Sequence, residues 1–337
     1  MSYKLKKALI SIFFLFLFLS LAITLLEFIA QHKNPSWHQS DKVLGWRLKK
    51  NFSHTYKMQD YSGKRYLSNF STDENGFRTY RTSKDFDQTF LIIGDSFVAD
   101  PYVSNNKMWY AHMLNFLKEK NNKNYAVYSN GGGGYGTLQE FLMLKEILNK
   151  KKFDHIILQF CSNDFNNNSY NMEKSKFFYN QYLRRPFYNY KTEKIFYEEN
   201  ILGKLARINL LGDNKIFNKL IYYLSIYKNK KNIITNSNFD DEKKLITIEL
   251  IKKIRNLIKN QNIYVVNCDG STQGLNKNWV SMFSQNGFIP LDKPSNFMEK
   301  YENKSKDIFF SDGYHYNEKG NKIFGIEVGK AIYPFLK

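Results

Sequence analysis

The stretch Phe90–Asp100, FLIIGDSFVAD, constrains the fold more than any other part of this chain. Phe90, Leu91, Ile92 and Ile93 read as a short buried strand. Gly94 and Asp95 break it, and Ser96 stands on the turn that follows. In an open parallel sheet, ligands and reacting groups collect at the carboxyl ends of strands. A serine there is placed to act as a nucleophile, but it needs a base for its proton and donors for the negative charge that forms.

From Thr89 onward, short apolar runs alternate with helical stretches, the pattern of a parallel α/β sheet. Further strands are predicted at Tyr125–Ser129, His155–Phe160 and Asn262–Cys268. Helices are predicted at Met108–Lys120, Leu138–Asn149 and Asp241–Asn260, with a closing helix through about Tyr333. Gly131–Gly136 is a glycine-rich turn. Asn166–Asp240, rich in tyrosine and lysine and without strand signals, is expected to be a helical insertion at about 166–240. Gly270–Lys306 reads as irregular. No repeat of solenoid type is present.

Ahead of this region, Ala8–Leu26 is uncharged and nearly all Leu, Ile, Phe and Ala, with Lys4, Lys6 and Lys7 before it. At about 1.5 Å per residue the run reaches about 28 Å, close to the hydrocarbon thickness of a bilayer. A cleaved signal peptide has a shorter apolar region and a small-x-small cleavage pattern, which Phe28-Ile29-Ala30 matches poorly. Residues 1–30 are therefore read as an uncleaved anchor with its basic end inside and the remaining chain outside the cytoplasm, periplasmic or on the cell surface. Residues 31–88 are read as a stem and short β-rich extension that lifts a catalytic domain, 89–337, off the membrane; Asn75-Gly76 within it is a turn signal.

The formal charge of +19 is spread through lysine-asparagine stretches such as Lys118–Lys123 and Lys228–Asn232. A diffuse excess of this kind is a solvated lysine-rich surface, or attraction to anionic headgroups or an acidic polymer. Nucleic acid is the least fitting partner for a chain with such an apolar start. Cys161 and Cys268 both follow strand-like runs and are expected as buried thiols, with a bridge as the alternative. No cysteine or histidine cluster has metal-ligand spacing, and no metal or organic cofactor is expected.

Three loops carry what serine chemistry needs. In Asp312-Gly313-Tyr314-His315, the carboxylate can meet one ring nitrogen of His315 and leave the other to face Ser96. Gly134, in GGGGYGT, can offer a backbone N–H where a side chain would obstruct the substrate, although Gly133 is its close rival. Asn163, in CSND, can aim its amide at the same oxygen, and the Ser96 N–H would be a third donor. Taken singly, each element has a plainer reading as a turn or cap. GGGGYG lacks the Lys-Ser/Thr of a P-loop and the spacing of G-x-G-x-x-G.

Together the four blocks, Gly94–Ser96, the glycines ending at Gly134, Asn163-Asp164 and Asp312–His315, resemble those of the SGNH/GDSL hydrolase superfamily over roughly Phe90–Lys337. The resemblance implies a flavodoxin-like three-layer α/β/α fold with a central parallel sheet. It also implies Ser96, Gly134, Asn163 and His315 as signature residues, with Asp312 supporting the base. The segments LGWRLKKN (Leu44–Asn51) and NGFR are also similar to the region before the GDS block in membrane-anchored bacterial members associated with envelope polysaccharides. The expected activity is therefore removal of O-acyl groups, O-acetyl above all, from an acylated carbohydrate, with a lipid ester as the other candidate substrate. An O-acyltransferase would use the same residues. A non-catalytic glycan-binding scaffold is the reading from a different class, and an intact Ser96, Asp312 and His315 argues against it.

Overall fold

The computed structural model describes residues 3–99, 101–175, 181–229, 239–269, 277–302 and 306–336. Parts of the expected insertion (176–180, 230–238) and of the segment read as irregular (270–276, 303–305) lie outside the described residues.

Helix α1 (Tyr3–Lys33) contains the apolar run and is long and apolar enough to cross a membrane. Two hairpins follow: β1 (His38–Asp41) with β2 (Gly45–Leu48), and β3 (Ser53–Gln59) with β4 (Arg65–Ser71). Strand β5 (Arg78–Arg81) then runs antiparallel to a strand of the main sheet. That sheet is built from β6 (Gln88–Gly94), β7 (Tyr125–Gly131) and β8 (His155–Phe160), followed later by two further strands. Between them come α2 (Ser96–Ala99), α3 (Trp109–Asn121) and α4 (Thr137–Leu148).

The insertion holds α5 (Asn163–Asn168), α6 (Tyr170–Ser175), a small hairpin β9 (Phe187–Asn189) and β10 (Lys194–Phe196), then α7 (Ile201–Ala206), α8 (Asn209–Gly212) and α9 (Lys215–Asn229). The hairpin corrects the reading of this stretch as purely helical; its strands span three residues each, too few to show a period. Helix α10 (Asp240–Leu257) leads into β11 (Ile263–Asn267). After it, α11 (Trp279–Ser284), β12 (Ile289–Leu291) and α12 (Asp292–Glu302) replace the expected irregular segment, and α13 (Glu318–Ile332) closes the fold. Strand β12 was hidden because it is a three-residue edge strand carrying Pro290, a residue that only an edge tolerates.

The sheet order is β12-β11-β8-β6-β7-β5, parallel throughout except for β5. In the order in which the parallel strands occur in the chain this is 2-1-3-4-5, the flavodoxin-like arrangement. Phe90 and Ile92 pack on one face with α3 and α13, whereas Leu91 and Ile93 pack on the other with α4 and α10. Coverage on both faces explains why these strands read as unbroken apolar runs rather than alternating ones. At Gly131 a Cβ would overlap the Gly94 carbonyl, so the glycine block starts where β6 and β7 end side by side.

Cys161 and Cys268 are joined by a disulfide with a Cα–Cα distance of 5.2 Å, which corrects the expectation of free thiols. Parallel register pairs Asn267 with Phe160, so the next residue on each strand falls beside its neighbour. Both half-cystines are fully buried, as expected of them.

Candidate functional site

The switch point of the sheet lies between β6 and β8, where the chain turns to opposite sides and leaves a crevice at the carboxyl ends. Ser96 sits at the first position of α2, with Asp95 between it and β6, and Asn163 at the first position of α5, with Cys161 and Ser162 between it and β8. Gly134 lies on the loop after the neighbouring β7, with φ +72°, a conformation that favours glycine. Asp312 and His315 come from the loop before α13.

His315 Nε2 lies 2.8 Å from Ser96 Oγ, and His315 Nδ1 lies 2.6 Å from Asp312 Oδ2. The other carboxylate oxygen, Asp312 Oδ1, accepts the backbone N–H groups of Tyr314 (2.9 Å) and His315 (3.0 Å). One side chain thus folds the loop and orients the imidazole. Partial burial works against ionisation of Asp312. The bonds from the His315 ring and from the two amides outweigh it and hold the carboxyl below its ordinary 3.8.

The imidazole is also gripped by aromatic rings. Tyr102 stacks on it at 4.5 Å between centroids, and Phe97 lies at 4.8 Å. Neither was singled out in the sequence, because a phenylalanine inside α2 and an isolated tyrosine three residues past its end carry no local signal.

The segment before the sheet takes part in the site. Ser311 N–H donates to Gln59 O (3.1 Å) and Tyr61 N–H to Phe309 O (3.0 Å), so the end of β3 pins the strand that leads into Asp312. Tyr66 Oη donates to Tyr102 O at 3.1 Å, steadying the ring that stacks on His315. The glycine loop is held from both sides. Tyr135 Oη donates to Trp46 O from the first hairpin, and the buried Arg185 of the insertion donates to Gly134 O at 2.6 Å. The β-rich extension therefore braces the loops that carry Gly134, Asp312 and His315, a role beyond that of a spacer.

Asn163 is engaged. Its Nδ2 donates to Asp95 Oδ2 at 3.1 Å, while Asp95 Oδ1 accepts from the Phe97 N–H at 3.0 Å. Asp95 is buried, and its pKa is pushed up to about 6, by burial first, with Asp269 adding to it; the Phe97 amide, Asn163 and His315 oppose the rise. Beneath it lie two more buried carboxyls. Asp164 and Glu140 are both held well above their ordinary values by burial and by neighbouring carboxyls. Both Glu140 oxygens lack a hydrogen-bond partner among the described residues.

Ser96, Gly133, Gly134, Asn163, Tyr314 and His315 line one cavity of about 660 Å³. Trp37, His38 and Trp46 of the first hairpin region and Arg184, Asp213 and Asn218 of the insertion are among the residues of its other walls. Neither the Ser96 nor the Gly134 N–H donates to another described residue.

The model of the family described as GDSL-like Lipase/Acylhydrolase matches residues 90–328. No curated protein matches the chain. Among solved structures, it is similar to TesA, at 12% identity and TM-score 0.41, covering 73% of this chain and 99% of that one. It is similar to the psychrotrophic esterase EstA from Pseudoalteromonas sp., at 13% identity and TM-score 0.41, covering 74% and 99%. It is also similar to the acetyl xylan esterase Est2A from Butyrivibrio proteoclasticus, at 13% identity and TM-score 0.38, covering 81% and 68%. With the family model spanning the parallel strands, the serine turn and most of the closing helix, the chain belongs to the GDSL-like lipase/acylhydrolase family and is a serine ester hydrolase.

Proposed function

We propose that the protein is a membrane-anchored, extracytoplasmic esterase that removes O-acyl groups, O-acetyl above all, from an envelope carbohydrate. The observation that carries the catalytic part is the continuous chain from Asp312 Oδ2 through the His315 ring to Ser96 Oγ, with links of 2.6 and 2.8 Å. In this reading His315 takes the Ser96 proton as Oγ attacks the ester carbonyl, and Asp312 stabilises the imidazolium. The imidazolium returns the proton to the departing sugar oxygen, leaving an acyl-enzyme. His315 then takes a proton from water, whose oxygen attacks the acyl carbon and frees the acid, and Ser96 regains its hydrogen.

The backbone N–H groups of Ser96 and Gly134 hold the oxyanion, and Asn163 joins them by releasing Asp95. Asn163→Ala should lower kcat by about 10²–10³-fold with little change in KM, read from steady-state kinetics on a small acetyl ester. An unchanged kcat would remove Asn163 from this role.

The carbohydrate assignment is supported by the cleft's size and by its mixed walls, two tryptophans beside the amides of Asn163, Asn167 and Asn218. The disulfide between Cys161 and Cys268 supports an oxidising compartment outside the cytoplasm, as do the lysines at the start of α1, ahead of its apolar run. The test is twofold. A fluorophosphonate should label the full chain once, at Ser96, and the protein should release acetate from an O-acetylated polysaccharide. Labelling without acetate release would discard the carbohydrate assignment; no labelling would discard the acyl-enzyme.

A further inference from the structure

Helix α9 carries an apolar stripe that stays exposed among the described residues. Phe217 and Ile221 pack inward against the insertion's own small core. On another side of the helix, Ile216, Leu220, Tyr223 and Leu224 recur at helical spacing. Leu220, Tyr223 and Leu224 keep 52%, 57% and 45% of their surface exposed. Lys219 beside them is exposed as well.

The position of this stripe says what covers it. Glu27, the residue directly after the apolar run of α1, accepts the first two backbone N–H groups of α9, from Lys215 (3.0 Å) and Ile216 (3.1 Å). Lys215 Nζ donates back to the carbonyls of Ala30 (3.2 Å) and Asn34. These bonds begin α9 at the end of the membrane-length helix, where hydrocarbon gives way to headgroups. An amphipathic helix at that depth buries its apolar face in the headgroup layer, and basic side chains favour anionic lipid. The chain's charge of +19 has the complementary sign. Ser36, Trp37, His38 and Gln39, which follow α1, and Asp213, Lys215 and Asn218, around the start of α9, line the same cavity as Ser96 and His315.

We propose that α9 is an interfacial helix, seated among anionic phospholipid headgroups beside α1, and that it holds the mouth of the Ser96 cleft at the bilayer surface, so that the enzyme acts on esters carried by membrane-held molecules. This rests on the reading of α1 as an anchor and, for the substrate, on the esterase reading above.

The test uses the full chain in nanodiscs of phosphatidylcholine with about 30% phosphatidylglycerol. Leu220→Cys is labelled with bimane, the native cysteines being bridged. Lys152→Cys, exposed just before β8 at the opposite end of the sheet, is the control. Dibrominated phosphatidylcholine should quench the label at position 220 at least twofold more than the label at 152. Equal quenching would overturn the seating of α9, as a protein partner on the stripe would predict.

The double variant Leu220→Glu/Leu224→Glu should hydrolyse soluble p-nitrophenyl acetate at the wild-type rate. It should hydrolyse an acetyl ester on a dialkylglycerol carrier in the nanodisc at least fivefold more slowly. Equal loss on both esters, or on neither, would overturn the surface-substrate claim. Wild-type protein inert toward both esters would overturn the esterase reading and that claim with it, while the quenching result decides the seating of α9 independently.

Discussion

Ser96→Ala is expected to lower kcat/KM for a small acetyl ester by about 10⁴-fold or more while leaving the fold intact. The Ser96 hydroxyl lies 2.8 Å from His315 Nε2, and an alanine fits the same turn without new contacts. Asp312→Asn is the more informative partner. In the native loop Oδ1 accepts the Tyr314 and His315 amides, and Oδ2 faces the ring. The new amide must keep its oxygen on the two backbone donors, which turns its NH₂ toward Nδ1. Nδ1 then has to accept, the ring proton moves to Nε2, and the imidazole can no longer take the serine proton. A loss of roughly 10³–10⁴-fold follows, with substrate affinity little changed. Because Asp312 is held ionised below its ordinary 3.8, it adds no acid limb of its own to the native pH–rate profile above that value. Variants retaining wild-type rates would end the triad assignment.

Glu140→Gln is expected to stabilise the protein at pH 8 and to leave it unchanged near pH 4.5. Glu140 is fully buried in α4 with Asp164 and Asp95 beside it, and burial followed by those two carboxyls holds it well above 4.5. The sign follows from proton counting. Between the unfolded and folded values the native state binds more protons than the unfolded one, so stability falls as pH rises through that window. Asp95, pushed up to about 6 chiefly by burial, adds loss in the same direction between about 4 and 6. A neutral amide of the same shape removes Glu140's share. The expected gain at pH 8 is on the order of 5 °C in Tm, shrinking to nothing as the native carboxyl becomes protonated in both states. Tm curves for the two proteins that run parallel from pH 4.5 to 8 would show that Glu140 does not titrate on unfolding. A cluster of this kind directly beneath the serine turn also ties the stability of the site to the compartment's pH.

What could be read from residues alone is what short-range physics encodes. Strands buried on both faces must be continuous apolar runs, so FLIIG and HIILQF announced themselves, and glycine, asparagine and histidine blocks at their ends marked the crevice. The loop Asp312–His315 was legible for the same reason, since its three-residue step closes locally. Only the tertiary structure decided that β3 pins that loop, that Tyr102 and Phe97 hold the imidazole, that Arg185 supports the glycine loop and that Cys161 meets Cys268. Each of those contacts joins elements far apart in the chain or depends on register, and neither distance in sequence nor register leaves a periodic trace in the residues. The same holds for Asn163, whose type and place were evident while its bond to Asp95 was not: an amide's partner is settled by which buried charge the packed fold sets beside it.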